Sequence, residues 1–272
     1  MSHLFQVGAG SGGMPVLDMV CRDERITRVT LVEPDVYKPH NVHRHVFPLS
    51  AVGRPKAELA RSWLLERRPD LDVRILPCDL TDPAQQGALH EIAEEADIGV
   101  CAADNEAAKY HWDMLMRRHQ CAWTLGEVLS GGIGGFVHQF VPAGPCYGCV
   151  ASFLQRSVKV EDAPAPDYSA PGGPVWETTI PASKSAISAI ASLHALATLD
   201  MLDDPKGFSP PYTTLLWTLK RVSGVFEEAY RPYRFQVKRA AGCLICQARP
   251  APSAVEELDV ALDQALARLG DA

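Results

Sequence analysis

The stretch FQVGAGSGGMPVLDMV, residues 5–20, constrains the fold more than any other. An apolar run leads straight into Gly8, Gly10 and Gly13, which form G-x-G-x-x-G ahead of a predicted helix. Glu33 closes the next apolar run, RVTLVEPD, 20 residues beyond Gly13. Glycines in such a turn let the backbone approach phosphates at a helix N-terminus, and an acid after the second strand holds ribose hydroxyls. The plain alternative is a tight turn that binds nothing, but strand, glycines, helix and acid coincide. Nucleotide binding is the expectation. NAD for hydride transfer and ATP for adenylyl transfer both fit these residues.

The pattern of alternating elements continues beyond that unit. HLFQVGAG (3–10) and RVTLVEPD (28–35) read as strands around the helix MPVLDMVCRD. A helix over 53–69, a strand over 72–78, a helix from QQGALHEIAEEA and a short strand over 97–104 follow. NEAAKYHWDMLMRRHQ is helical, and AWTLGEVLSGGIGGFVHQFVP supplies further strands. This alternation predicts a doubly wound, Rossmann-like, mainly parallel sheet, with an antiparallel part toward the C-terminus. The expected organisation is a single domain over 1–272. Its nucleotide-binding half is 1–150, followed by a Pro/Gly-rich mobile crossover at 151–182. A sheet extension occupies 183–250, with a small-residue helix at 183–202 and strands over 214–232. A C-terminal helix, 251–272, carries the stripe Val255, Leu258, Leu262 and Leu269, read as docking on the body.

The totals exclude some classes. At 272 residues, 47% hydrophobic and 22% charged, the chain can bury a sizeable core. No run approaches the ~18 apolar residues of a membrane span, and no signal pattern opens the chain, so a cytoplasmic protein without a membrane partner is expected. The net charge of -7 disfavours nucleic acid as a partner. Four of the eight cysteines form two C-x-x-C pairs, Cys146 with Cys149 and Cys243 with Cys246. In a reducing compartment these read as the ligands of one structural, tetrahedral zinc rather than two disulfides. Cys21, Cys78, Cys101 and Cys121 read as small core residues.

The choice between NAD and ATP turns on the next stretch, EPDVYKPHNVHRHVFPLSAVGRPKAELA (33–60). Asn41, Arg44 and Lys56 follow the ribose acid closely. A dehydrogenase has little use for fixed cations there, whereas phosphoryl or adenylyl transfer needs them where charge builds on phosphate. Asp104 ends a buried strand, where ligands of open α/β sheets gather and where an acid can hold Mg²⁺; capping the following helix is its bland alternative.

In this order (G-x-G-x-x-G, acid, N-x-x-R, G-x-P-K, strand-Asp-Asn, C-x-x-C, small-residue helix, C-x-x-C) the chain resembles the ubiquitin-activating-enzyme-like superfamily over roughly residues 4–247. The simple bacterial members are the ThiF and MoeB adenylyltransferases. The resemblance implies ATP- and Mg²⁺-dependent adenylation of the C-terminal glycine carboxylate of a small β-grasp, ubiquitin-like or sulfur-carrier protein. It implies ribose binding by Glu33, where the family usually has Asp. Asn41, Arg44 and Lys56 would contact phosphates, Asp104 would hold Mg²⁺, and Asn105 would contact the nucleotide. The four paired cysteines would hold Zn²⁺.

Three departures stand out. His45 occupies the place of the family's Gln after N-x-x-R. The family's arginine-bearing segment ahead of the first strand has no counterpart here, so the expectation is a homodimer or heterodimer in which another subunit supplies an arginine. No cysteine lies between Cys149 and Cys243, so the chain is expected to form an acyl-adenylate without a thioester of its own. A non-catalytic half of a heterodimeric activating enzyme is the second reading. A nicotinamide dehydrogenase is the third, and it explains nothing beyond Glu33.

Overall fold

The computed structural model describes residues 1–154 and 182–247. The opening unit forms as its sequence dictates. Strand β1 (Ser2–Val7) runs into the glycine turn, helix α1 (Gly13–Val20) and strand β2 (Ile26–Val32). Helix α2 (Lys56–Leu65), strand β3 (Asp72–Leu76), helix α3 (Gln86–Glu95), strand β4 (Ile98–Cys101), helix α4 (Glu106–Arg118) and strand β5 (Ala122–Val128) continue the alternation. Strand β6 (Gly134–Phe140), helix α5 (Tyr147–Phe153), helix α6 (Lys184–Met201) and strands β7 (Thr214–Thr218) and β8 (Pro232–Phe235) complete the described part.

One sheet of eight strands runs β3-β2-β1-β4-β5-β6-β7-β8. The first five strands in that order are parallel. The change to antiparallel at β5–β6 follows from chain length. Only Leu129–Ile133 joins the two strands, with Gly131 and Gly132 at positive φ, and a parallel return needs a crossover of about a dozen residues. β7 and β8 extend the antiparallel part.

Both sheet faces are covered. Leu4, Val29, Leu31 and Val100 pack under α1, α2 and α6, against Met14, Leu17, Leu64 and Met201. Phe5, Val32, Leu76, Trp123 and Leu125 pack under α3, α4 and α5, against Leu89, Trp112, Leu115 and Val150. The small-residue reading of α6 is explained by its closeness to the sheet: a Cβ on Gly135 would lie 2.6 Å from Ile190 Cγ1. Cys21, Cys101 and Cys121 are buried, as expected of core thiols, and Cys78 is half-buried.

Two elements differ from the sequence expectation. Residues 147–153 form α5, a helix the sequence reading did not assign, and its last three residues fall in the expected crossover. Of 214–231, only 214–218 is an extended strand; turns closed by Val222 N–H to Phe226 O and Tyr230 N–H to Thr218 O precede β8. The aromatic and β-branched residues of 219–231 gave that stretch strand composition, but Gly224 at positive φ turns the chain. Most of the expected crossover (155–181) and the whole expected C-terminal helix lie outside the described residues. Among the described residues, no helix is long and apolar enough to cross a membrane.

Candidate active site

The strand order reverses between β1 and β4, and ligands of open α/β sheets bind at such a switch point, beyond the C-terminal strand ends. A cleft of about 310 Å³ lies there. Gly8 has φ +90°, and a Cβ on it would lie 2.6 Å from the carbonyl oxygen of Ala102, just past the end of β4. A Cβ on Gly13 would lie 2.4 Å from the Gly8 oxygen, so the turn closes only with glycine at both positions. Around Gly10 the space is open, which leaves the backbone free to meet a ligand.

Of the residues expected from sequence, Gly8, Gly10, Glu33, Arg44, Lys56, Asp104 and Asn105 all line this cleft. Gly13 and Asn41 do not. Gly13 serves the turn, and buried Asn41 turns its Oδ1 to the Lys38 N–H at 3.0 Å, closing the short helical turn Pro39–Asn41. Asn105, not Asp104, caps α4, accepting the Ala108 N–H at 2.7 Å. Asp104 stays exposed at the cleft mouth.

Glu33 is buried and shapes the glycine turn directly. Its carboxylate accepts the Ala9 N–H at 2.5 Å and the Asp35 N–H at 2.9 Å. Burial pushes its pKa up, and the nearby Lys56 charge acts against that. Lys56 has a partner that sequence reading missed: its Nζ lies 2.5 Å from Asp35 Oδ2, with side-chain exposures of 6% and 18%. The Lys56 N–H also donates to the Asp35 carbonyl at 2.8 Å, so backbone and side chain hold the same cation. The acid-x-acid spacing of EPD was the signal for Asp35.

His45, the departure from the family's glutamine, braces the same turn. Its Nδ1 accepts the Phe47 N–H at 3.4 Å, so the proton sits on Nε2 and is donated to the Ala9 carbonyl at 2.9 Å. Phe47 stacks on its ring at 4.6 Å, and Lys184 at the start of α6 donates to its carbonyl. Burial pulls the His45 pKa to about 4, with the Ala9 bond acting in the other direction. An unfolded chain protonates this histidine near 6.5 while the folded one excludes the proton, so its contribution is present above 6.5 and lost as pH falls toward 4. A His45→Gln variant keeps a donor for Ala9 and removes the titration. Between pH 7 and pH 5 it should lose about 2 kcal/mol less stability than the wild type in urea unfolding, and equal losses would refute this account.

A second group of residues went unread. Lys109 and Glu127 also line the cleft, and Lys109 Nζ bridges Glu127 Oε1 at 2.7 Å and Glu106 Oε1 at 2.9 Å. Burial alone would lower the Lys109 pKa; the two glutamates outweigh it and hold the ammonium charged. His138 lies against Glu127 at 3.1 Å. His194 packs beneath as a core histidine on Thr124 Oγ1, and burial pulls its pKa to about 3. A wider depression of about 480 Å³ beside edge strand β3 mixes Arg28, Arg61 and Arg74 with Asp72 and Glu95, has no glycine turn, and lies toward the N-terminal strand ends.

Residues 1–236 match the ThiF family. The chain belongs to that family. The SAMP-activating enzyme E1 of Haloferax volcanii is 28% identical over 150 residues, 55% of this chain and 53% of its own. The adenylyltransferase and sulfurtransferase UBA4 of Meyerozyma guilliermondii is 28% identical over 146 residues, 53% of this chain and 32% of its own. The ThiF-family chain thus spans about half the length of the first relative and about a third of the second. In fold it is similar to E. coli MccB, with a TM-score of 0.66 over 92% of this chain and 66% of that chain at 18% identity. MccB solved with ATP gives 0.62 over 90% and 66% at 17%.

The four paired cysteines meet at the N-terminal end of α5, with sulfurs all within 4.8 Å of one another. Cys146 lies 3.3 Å from Cys243 and 3.6 Å from Cys149, and Cys149 lies 3.5 Å from Cys246. Those separations are too long for disulfides and near the about 3.8 Å expected between thiolates around a tetrahedral zinc. Burial raises the Cys146 thiol. Burial raises Cys243 too, but the N–H groups of Cys246 and Ile245 prevail and bring it to about 7.

Proposed function

We propose that this ThiF-family chain uses ATP to adenylate the C-terminal carboxylate of a small ubiquitin-like or sulfur-carrier protein. The observation that carries the reading is the meeting of the Lys56–Asp35 pair, Arg44 and Asp104 with the glycine turn and Glu33 in one cleft. A hydride-transfer site needs the turn and the acid; it does not need that set of charges. In the proposed reaction the client carboxylate attacks the α-phosphorus and pyrophosphate leaves. A carboxylate needs no general base, so the protein's work is orientation and charge stabilisation. Glu33 holds the ribose, Lys56 and Arg44 meet the phosphate charge, and Asn105 lies beside the nucleotide. Bound Mg²⁺, held by Asp104, would supply further charge neutralisation on the phosphates.

The SAMP-activating and UBA4 relatives support a small ubiquitin-like client. MccB, solved with the peptide MccA, makes a short peptide the competing client class. No cysteine between Cys149 and Cys243 fits an adenylate passed to a separate acceptor. The same reading takes the chain as one adenylation unit, zinc at the four cysteines, and a homodimer or heterodimer in which a second subunit contributes an arginine.

Calorimetric titration of the full chain with Mg-ATP and, separately, with NAD tests the reading. Binding of Mg-ATP without NAD is expected. NAD binding would return the site to dehydrogenase chemistry, and no nucleotide binding at all would favour a non-catalytic subunit.

A further inference from the structure

Tyr147 lies between the two cysteines that open and end the first turn of α5, and it is fully buried. Its N–H donates to Asp113 Oδ1 at 3.1 Å, two turns along α4. Its hydroxyl donates to Glu106 Oε2 at 2.7 Å. Tyr110 meets its ring edge-on at 5.0 Å.

Glu106 is the first residue of α4, directly after Asp104 and Asn105 of the cleft. Asp104, Asn105 and Ala107 are exposed, so in the first turn of α4 Glu106 joins buried Ala108 and Lys109 in holding this end of the helix to the protein body. Its other oxygen holds Lys109, which bridges to Glu127 in the cleft wall. Glu127 reaches His138 Nε2, and His138 Nδ1 meets Thr214 Oγ1 at 3.0 Å. A continuous polar chain thus runs from inside the first C-x-x-C pair, through the cleft wall, to β7. Such a chain has few alternative arrangements, because Lys109, His138 and Thr214 are each at least 95% buried.

We propose that Tyr147 is a positioning residue that couples the four-cysteine site to the nucleotide cleft. Through Glu106 it sets the start of α4, and with it Asp104, Asn105 and the Lys109 ammonium. Metal held by the cysteines fixes α5, α5 fixes the tyrosine, and the tyrosine fixes the cleft wall. The nucleotide consequence rests on the proposed function; the mechanical coupling does not.

The test is amide hydrogen exchange of residues 105–109 in the full chain with its metal bound. Tyr147→Phe keeps the ring and removes the hydroxyl. It should leave metal content unchanged, speed exchange at 105–109 about tenfold, and weaken Mg-ATP binding by about three- to tenfold. In a Glu106→Ala background, Tyr147→Phe should change exchange no further, since the proposal routes the hydroxyl's effect on α4 through Glu106. Stripping the metal with a zinc chelator should also speed exchange at 105–109 in the wild type, and less so in Glu106→Ala; this arm decides if Tyr147→Phe fails to fold. Unchanged exchange in Tyr147→Phe, or equal acceleration in both backgrounds, overturns the proposal. A wild type that binds no Mg-ATP would overturn the nucleotide reading alone.

Discussion

Replacing Lys56 with alanine should lower ATP-dependent turnover by about 10²- to 10³-fold and destabilise the fold by about 3 kcal/mol. The two effects have separate causes. Turnover falls because a cation fixed in advance beside the glycine turn is lost, and such a group stabilises transition-state charge without reorganising. Stability falls because Asp35, with 18% side-chain exposure, loses a cationic partner 2.5 Å away. Glu33 is affected too, since the Lys56 charge opposes the rise that burial imposes on its pKa. The double variant Lys56→Ala/Asp35→Asn should therefore regain most of the stability and none of the turnover. Asp104→Ala offers the contrast: the residue is exposed, so turnover should collapse with the unfolding midpoint unchanged. Client-dependent pyrophosphate exchange and urea unfolding, run on all four proteins, separate the two effects. Undiminished exchange in Lys56→Ala would remove the lysine from the chemistry.

The parts of the site legible in the sequence are those whose residues are neighbours in the chain or obey a period. Gly8 to Glu33 is one βαβ unit, and its steric needs, a positive φ at Gly8 and no Cβ at Gly13, leave a mark in residue type. Asn41 shows the limit of that method. An asparagine that caps a turn and one that faces a ligand have the same letter, and here its oxygen goes to Lys38. Lys109, Glu127 and His138 were invisible for another reason. Lys109 meets Glu127 because β4 and β5 are neighbours, and Glu127 meets His138 because the β5–β6 hairpin pairs residues 126 and 137. Each taken singly reads as an ordinary charged or aromatic residue of its element. α5 was missed because its composition, YGCVASF, lacks a strong helical period, and tertiary packing of Tyr147 and Val150 decides its state.

The cysteine cluster yields the other large expected effect. A Cys243→Ser variant should lose one equivalent of zinc and melt about 10 °C lower than the wild type, with cleavage appearing first around residues 238–247. Among the described residues, the segment after β8 has little else to hold it. Val237 is buried, Arg239 donates to the carbonyls of Pro142 and Gly144, and the Ala240 N–H points at Cys149 Sγ at 3.3 Å. Beyond that, Leu244 is 88% exposed and Ile245 is half-buried beside Gly148 of α5, so apolar burial there is small. Four thiolates around one cation would supply what the segment lacks, and the N–H aimed at Cys149 would suit a metal-bound thiolate there. Because each ligand must lose its proton, zinc should leave as pH falls, and the melting point of the wild type should fall toward that of Cys243→Ser. Elemental analysis of the purified chain, with melting curves at pH 7.5 and pH 5.5, checks both statements. A wild type that holds no zinc and melts with Cys243→Ser at both pH values would make these four cysteines packing residues, and would leave the Arg239 contacts as the anchor of the segment.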